Sequence, residues 1–258
     1  MLEGCERYRY IMKETNRIEI LGVPVDMADK AAAMESFKEK FPEPGVTVIV
    51  TPNSEIVLRA SEDPGLKRLI ESADIIIPDG IGLVYASKIV GASLSERVTG
   101  IDFLENIIAY LEMSGESIYF FGSKPGVAEA AAENICKKYP ELRVAGTHNG
   151  YFKPEEEAEI VREINDSGAD FLCVALGAPK QEKFIDDHKS ELKVRGAIGV
   201  GGSLDVWAGT LKRAPEFYQK HGLEWLYRFI QEPSRIGRMA KLPIFMLKVI
   251  AAGKPRKQ

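Results

Sequence analysis

The sequence is poor in the residues that build metal centres and covalent cross-links. Its three cysteines and three histidines are scattered along 258 residues, with no CxxC pair and no His/Cys cluster: Cys5, Cys136, Cys173, His148, His188 and His221. This spacing argues against a disulfide framework and a zinc site, and a D-x-D carboxylate pair is also lacking. We therefore expect a protein of the reducing cytoplasm whose activity needs no metal ion.

Long apolar runs are also lacking. No stretch of about 20 apolar residues is present, so the sequence predicts no membrane-spanning helix. Residues 1–17 are charged and contain no apolar signal-peptide core, so we expect no secretory signal. The length suits one sizeable α/β domain with an appendage. We predict an N-terminal extension (1–17), an α/β core (18–211) and a C-terminal helical appendage (212–258).

The charge is unevenly distributed between the predicted core and the appendage. From Lys212 onwards there are eleven Lys and Arg against three acids, a local charge of +8 in a chain of net charge −4. Aromatic and aliphatic residues are interleaved with these cations. Such a segment suits a membrane interface or packing on the body. A phospholipid, a diphosphate and nucleic acid all remain candidate partners on charge alone, as does a merely solvated helix face.

Apolar strand patterns alternate with helical patterns through the core. The predicted strands are Ile18–Gly22, Val46–Thr51, Asp74–Pro78, Ser117–Gly122, Leu142–Thr147, Asp170–Leu176 and Ala197–Gly201. The predicted helices are Asp29–Phe41, Ser54–Ser72, Gly82–Val90, Asp102–Ser114, Val127–Tyr139, Pro154–Ser167 and Lys180–Lys189, followed by Pro215–His221, Gly222–Gln231, Pro233–Lys241 and Leu242–Ala252 in the appendage. The alternation predicts an open, mostly parallel, Rossmann-like sheet with helices on both faces.

Polar and glycine-rich residues follow several of the predicted strands, where parallel sheets bind ligands. Asp79 follows one buried strand and could act as a general base, although an aspartate before glycine is more commonly a turn residue or helix N-cap. Arg97 could bind phosphate or pair with a neighbouring acid. Gln181 opens a helix after a glycine-rich turn and could face the site, or simply be a polar helix start. Loose glycine motifs at Gly122–Gly126 and Gly199–Gly202 match neither dinucleotide fingerprint nor P-loop.

If no metal is present, a bound diphosphate needs cationic side chains. The appendage offers Arg228, Arg235 and Arg238, whose spacing would place them on one face of a continuous helix. Pro233 interrupts that helix, so the spacing is only an indication of a shared site.

Seven segments, taken together and in order, resemble the WecG/TagA/CpsF glycosyltransferase family. They are Thr51–Val57, Pro78–Gly82, Glu96–Asp102, Gly146–Phe152, Leu176–Glu182, Gly199–Asp205, and Lys212–Pro215 with Gly222–Arg228. The resemblance covers roughly Ile18 to Met246 and is closer to the TagA branch. It does not extend to the residues before Ile18.

The resemblance implies an inverting, metal-independent transferase with a UDP-sugar donor and a polyprenyl-diphosphate-linked sugar acceptor. In the TagA branch, N-acetylmannosamine passes from UDP-N-acetylmannosamine to undecaprenyl-diphosphate-linked N-acetylglucosamine, which makes the linkage unit of wall teichoic acid. Such a protein would be cytoplasmic and peripheral on the inner face of the cell membrane, which it would contact through the appendage. Homo-oligomerisation is left open, and no nucleic-acid partner is implied.

The resemblance also implies roles for individual residues. Asp79 matches the general base, Thr51 and Asn53 match contacts on the acceptor or sugar side, and Arg97 matches a cation near the acceptor or diphosphate. Gln181 matches a donor-side residue and Asp205 a nucleotide contact, while the appendage arginines match groups that close over the leaving diphosphate: Arg228, Arg235 and Arg238.

Other functions remain as alternatives. A relative of the same family could use another donor, such as UDP-N-acetylmannosaminuronic acid. A non-catalytic nucleotide-binding protein would bind UDP without turnover. A nicotinamide oxidoreductase would need a complete GxGxxG with an acid about 20 residues on, which is not clear here. A nucleic-acid binder would show strongly salt-dependent affinity.

Overall fold

A computed structural model describes residues 17–92, 94, 98–231, 237 and 241–253, apart from the side chain of Arg228. Its strands are β1 (Arg17–Ile20), β2 (Val23–Asp26), β3 (Thr47–Val50), β4 (Ile75–Ile76), β5 (Ser117–Gly122), β6 (Arg143–His148), β7 (Phe171–Ala175) and β8 (Gly196–Gly199). The predicted extension before residue 17 and the predicted helix Pro233–Lys241, except its residues 237 and 241, lie outside the described residues.

Six strands form one parallel sheet in the order β4-β3-β8-β7-β5-β6. This confirms the predicted open α/β fold, because apolar runs buried on both faces are typical of parallel strands. The carboxyl ends of β3, β4, β7 and β8 therefore lie along one edge of the sheet. Residues that follow these strands in the sequence become neighbours in space.

The first predicted strand is wrong in its extent. Ile18–Gly22 is one strand in the prediction, whereas β1 and β2 form a separate antiparallel hairpin. Leu21 and Gly22 make the turn with φ of 53° and 75°. Two consecutive positive φ angles match the twist of a two-residue hairpin turn, and Gly22 takes such an angle without steric cost.

Helices cover both faces of the sheet. They are α1 (Lys30–Lys40), α2 (Ser54–Ala60), α3 (Pro64–Glu71), α4 (Ile81–Ile89), α5 (Gly100–Ser114), α6 (Val127–Lys138), α7 (Glu157–Asp166, preceded by a 3₁₀ turn), α8 (Lys180–His188), α9 (Ser203–Trp207), α10 (Glu216–Lys220), α11 (Glu224–Gln231) and α12 (Lys241–Ala252). The predicted helix Ser54–Ser72 is two helices. Asp63 accepts hydrogen bonds from Gly65 N and Leu66 N and caps α3, with Pro64 in its first turn.

Alternate residues of the strands are buried on opposite faces of the sheet, in three hydrophobic clusters. Phe120 and Phe171 pack with Phe37, Phe41 and helices α5 and α6 on one face. Phe121 packs with α7 and α8 on the other face, towards the β5–β6 edge of the sheet. This two-sided burial fixes the register of the strands and so the positions of the loops at their carboxyl ends.

The C-terminal helix α12 packs on α2 and α4. Phe245 and Val249 are fully buried there, while Lys241 Nζ lies 2.8 Å from Glu55 Oε1. Gly82 of α4 allows this close approach, because a Cβ at that position would meet Leu242. Two hydrogen bonds join the ends of the segment Lys212–Gln231, which precedes α12. Lys212 N donates to Gln231 Oε1 (3.2 Å), and Gln231 Nε2 donates to the Lys212 carbonyl (3.0 Å).

Candidate active site

A cavity of about 350 Å³ lies at the carboxyl ends of β3, β4, β7 and β8. This is a volume typical of small-molecule sites, and the position is where open α/β sheets bind ligands. The core residues that line it include Thr51, Asn53, Asp79, Gly80, Ile81, Thr99, Gly100, Gly177, Ala178, Gln181, Val200, Gly201, Gly202 and Ser203. The structure thus places in one cavity residues as far apart in the sequence as Thr51 and Ser203, which are 152 positions apart.

Two helices begin at this cavity without a side-chain cap. Gly80 precedes α4 and Pro179 precedes α8, and neither forms a side-chain hydrogen bond to the first turn. The first N–H groups of a helix have no partner within the helix, and the dipole makes that end positive. The uncapped N-terminus of α4 is therefore suited to a phosphate or diphosphate group, whereas in the first turn of α8 the Gln181 N–H already donates to the Gly177 carbonyl (3.1 Å).

Asp79 lies at the cavity wall, half-buried, directly after the buried Ile75–Pro78 segment. Its backbone N–H donates to the Pro52 carbonyl (2.9 Å), which fixes it against the neighbouring strand end. The N-cap of α4 is Gly80 rather than Asp79, so Asp79 is not the N-cap residue itself. Gly80 has φ of 91°, a conformation that suits glycine and turns the chain into the helix.

Thr51 and Asn53 lie at the end of β3, and both have structural partners. Thr51 Oγ1 donates to the Gly199 carbonyl (3.1 Å) and so joins the ends of β3 and β8. Asn53 Oδ1 accepts from Glu55 N (2.9 Å) and Ile56 N (3.1 Å) and caps α2. The oxygen of Asn53 is therefore engaged in capping, and its amino group is the part that remains for a ligand.

Gln181 lies in the cavity wall at the start of α8 and is 3% exposed. Its Oε1 accepts from Gly201 N and its Nε2 donates to Glu182 Oε1, each at 2.9 Å. The side chain packs on Gly199, where an added Cβ would lie 2.6 Å from Nε2. Glu182 is itself buried, and burial raises its pKa despite the hydrogen bond from Gln181.

Asp205 lies beside the cavity rather than in its wall. Asp205 Oδ2 accepts from Ser123 Oγ (3.2 Å), in the turn after β5. Ser123 has φ of 57°, its N–H donates to the Ala175 carbonyl, and its own carbonyl accepts from Gly150 N. Asp205 thus belongs to a polar cluster where β5, β6 and β7 end, next to the wall that Gly202 and Ser203 form.

Arg97, Arg235 and Arg238 lie outside the described residues, and of Arg228 the structure describes only the backbone, in α11. Within the described lining the cationic side chain is Arg59, in the last turn of α2.

The appendage forms an apolar side of the cavity, which the sequence did not predict. Trp225 and Phe229 of α11 and Leu242 of α12 line it together with Ile81. The aromatic and aliphatic residues of the appendage suggested a membrane interface or packing on the body, and some of them instead form part of the site. A single sequence carries no signal for this, because it does not show which face of α11 turns inward.

No group of three or more His, Cys, Asp and Glu side chains that could hold a metal ion occurs in the part of the chain that the structure describes. The arrangement is typical of an α/β enzyme: a parallel sheet, a cavity at its carboxyl edge, the positive end of α4 and a carboxylate in the cavity wall.

Comparison with known proteins is consistent with this class. Residues 18–258 match the model of the glycosyl transferase WecG/TagA/CpsF family. An N-acetylglucosaminyldiphosphoundecaprenol N-acetyl-beta-D-mannosaminyltransferase of Bacillus spizizenii is 36% identical over 211 residues, 80% of this chain and 81% of that protein. A Staphylococcus aureus protein of the same name is 35% identical over 240 residues, 92% of this chain and 94% of that protein. The chain belongs to the WecG/TagA/CpsF family of glycosyltransferases.

Proposed function

We propose that the protein transfers N-acetylmannosamine from UDP-N-acetylmannosamine to N-acetylglucosaminyldiphosphoundecaprenol, and so makes the linkage unit of wall teichoic acid. The observation that carries this proposal is the similarity to the two N-acetyl-beta-D-mannosaminyltransferases over most of both chains. The gathering of Thr51, Asn53, Asp79 and Gln181 around one cavity supports it.

In the mechanism that we propose, Asp79 is the general base. A hydroxyl of the acceptor sugar attacks the anomeric carbon of the donor as its proton passes to the Asp79 carboxylate. The new glycosidic bond forms as the bond to the diphosphate breaks, so the anomeric configuration inverts. The position of Asp79 in the cavity wall, beside the uncapped start of α4, supports this role.

The departing UDP gains negative charge, and its stabilisation is the main electrostatic task. The N-terminus of α4 offers backbone N–H groups for the diphosphate. Arg97, Arg228, Arg235 and Arg238 would supply cationic side chains, and we propose that no metal ion is needed. Thr51 and Asn53 would contact the acceptor or sugar, Gln181 the donor, and Asp205 the nucleotide.

We also propose that α12 rests on the inner surface of the cell membrane. Among the described residues, no helix is long and apolar enough to cross a bilayer. Yet α12 exposes an apolar face opposite its buried Phe245 and Val249, made of Pro243, Ile244, Leu247, Ile250 and Ala251. The sequence continues with Lys254, Arg256 and Lys257. Apolar residues beside cations suit an interface of anionic phospholipid, and α12 also lines the cavity through Leu242.

Release of UDP from UDP-N-acetylmannosamine tests the proposal. The assay compares reactions with and without a lipid-diphosphate N-acetylglucosamine analogue, in EDTA and in Mg²⁺. We expect release that depends on the acceptor and is equal in both buffers. Activity only in Mg²⁺ would contradict the metal-independent mechanism.

Two further outcomes would point to the alternatives. Faster turnover with UDP-N-acetylmannosaminuronic acid would assign the protein to a different donor within the family. UDP binding without transfer, from a panel of nucleotide sugars, would indicate a non-catalytic nucleotide-binding protein.

A further inference from the structure

Glu182 is a buried carboxyl group without a full set of partners. It is 5% exposed, and its Oε2 has no hydrogen-bond partner among the described residues. Burying a polar group without a partner costs free energy, so a position that retains one usually has a reason beyond packing.

The usual structural reason for a glutamate at this position does not apply. Glu182 is the third residue of α8, where glutamate commonly accepts a hydrogen bond from the N–H of the N-cap residue. Here the N-cap is Pro179, which has no N–H. The reciprocal capping interaction is therefore impossible, and helix capping of that kind does not explain the buried carboxyl group.

The Glu182 carboxyl group interacts with its own backbone N–H and with the side-chain amide of Gln181. Glu182 Oε1 accepts from Gln181 Nε2, while Gln181 Oε1 accepts from the N–H of Gly201, both at 2.9 Å. A backbone N–H can only donate, so the atom of the amide that faces Gly201 must be the oxygen. The amino group then faces the acceptor that Glu182 provides, and the second N–H of the amide remains for a ligand.

We propose that Glu182 is a positioning residue, which holds the Gln181 amide so that it presents an N–H donor to an oxygen of the nucleotide sugar. The inference rests on the proposed function for the identity of the ligand. A phosphate, hydroxyl or acetamido oxygen of the donor satisfies this N–H, whereas a group that can only donate does not. Without Glu182 the amide loses one of its two fixed partners and is free to rotate.

Matched substitutions at Glu182 separate positioning from a structural role. Glu182→Met keeps a similar volume but offers Gln181 no oxygen, and it removes a buried carboxyl group, so the thermal midpoint should stay equal or rise. We expect KM for the donor to rise about tenfold, the loss of one hydrogen bond, with KM for the acceptor unchanged. Glu182→Gln retains a carbonyl oxygen as acceptor and should restore KM to near the wild-type value.

A double-mutant cycle with Gln181→Ala completes the test. If Glu182 acts through Gln181, Glu182→Met should have no further effect on KM in the Gln181→Ala protein. An unchanged KM in Glu182→Met would overturn the inference, and so would a Glu182→Gln protein as impaired as Glu182→Met. If Glu182→Met does not fold, Glu182→Leu replaces it, and failure of both with a folded Glu182→Gln would assign Glu182 to structure.

Failure of the positioning role of Glu182 can be distinguished from failure of the proposed sugar transfer. If the wild-type protein transfers no sugar, the proposed reaction fails, and the same variants are compared by the calorimetric Kd for UDP-N-acetylmannosamine. A tenfold weaker Kd in Glu182→Met, restored in Glu182→Gln, would still support positioning by Glu182. If the wild-type protein neither transfers nor binds this donor, both proposals fall.

Discussion

Arg213 forms an ion pair with Asp102, although the two residues are 111 positions apart in the chain. Asp102 lies in the first turn of α5 and its Oδ2 accepts from Thr99 Oγ1 (2.5 Å). Thr99 and Gly100 line the cavity, and Arg213 lies where the chain leaves the core for the appendage. The ion pair therefore connects the first residues of the appendage to the wall of the cavity.

Arg213→Ala should loosen this connection. Both side chains are about one-third exposed, so we expect only about 0.5–1 kcal/mol of lost unfolding free energy. We expect a larger effect on catalysis, as a raised KM for the lipid acceptor, because the appendage forms one side of the cavity. Chemical denaturation and steady-state kinetics measure the two effects. Arg213→Ala should have no added effect on a protein that already carries Asp102→Asn, and independent effects would contradict the coupling.

The same ion pair predicts a stability change at acid pH. Burial would raise the pKa of Asp102, but the hydrogen bonds from Thr99 and Arg213 and the charge of Arg213 outweigh it and lower the pKa below 3.8. The native state therefore binds this proton more weakly than the unfolded state. The stabilisation is fully present above the unfolded pKa and is lost as pH falls through the lower folded pKa. The unfolding free energy of wild type relative to Asp102→Asn, measured from pH 6 to 2.5, should be constant above about pH 5 and shrink below it.

Asp79→Asn should abolish most turnover without unfolding the protein. Removal of a general base lowers kcat by about 10²–10⁴-fold, while the asparagine retains the shape of the side chain. Steady-state UDP release measures the effect, with circular dichroism as the folding check. Glu55→Gln is the matched control, since Glu55 also lines the cavity but pairs with Lys241. Near wild-type turnover in Asp79→Asn, or a larger loss in Glu55→Gln, would refute the assignment.

Gly82→Ala should disturb the docking of α12. The added Cβ would lie 2.4 Å from Ser54 Oγ and 2.9 Å from Leu242 Cδ1, so one or both neighbours must move. Overpacking of this kind costs about 1–3 kcal/mol of unfolding free energy. Gly202→Ala is the control, because its nearest neighbour would be 3.9 Å away. Adding Ser54→Ala to the Gly82→Ala protein should restore part of the lost unfolding free energy. If Gly82→Ala alone leaves the unfolding free energy unchanged, the prediction is wrong and the neighbours move aside at little cost.

Substitutions on the exposed face of α12 should weaken membrane binding. Leu247 and Ile250 are 67% and 59% exposed, so glutamate there should leave the thermal midpoint unchanged. Each apolar side chain contributes about 1.5–3 kcal/mol when it leaves water, so the double substitution should lower affinity for anionic vesicles more than about tenfold. Co-sedimentation with such vesicles measures it. Met113→Glu, on an apolar residue of α5 that is even more exposed (87%), should bind like wild type. If the α12 variant also bound the vesicles like wild type, this face of α12 would not be the membrane contact.

Much of the fold was predictable because buried parallel strands are apolar on both faces. Phe171–Ala175 and Ser117–Gly122 needed no tertiary information. The errors arose where short-range conformation decides the structure. The turn at Leu21 and Gly22 interrupts a run that looks like one strand, and the five-residue helix Ser203–Trp207 is too short to show a period.

The location of the candidate site was predictable, because it lies at the carboxyl ends of strands that the sequence identifies. Asp79 and Gln181 share a cavity because their strands lie in one parallel sheet. The details depend on side-chain direction, which a single sequence does not reveal. Asp205 accepts a hydrogen bond from Ser123 beside the cavity. Glu182 belongs to what looks in the sequence like an ordinary polar helix start, but its side chain is buried. The roles proposed for the individual site residues stay predictions, including those of the four arginines Arg97, Arg228, Arg235 and Arg238.

The two hydrogen bonds between the Gln231 side chain and the backbone of Lys212 have a practical consequence for truncation. They close the chain between these residues into a ring without a covalent bond. A truncated protein that ends anywhere between them keeps Lys212 but loses Gln231, so neither hydrogen bond can form. The aromatic residues of the remaining segment would then be exposed, and exposed aromatic residues promote aggregation. A cut before Lys212 removes the ring whole but also removes α12, whose Phe245 and Val249 are buried against α2 and α4. Inactivity of that shorter protein therefore reports the missing appendage only when circular dichroism shows that the core is still folded.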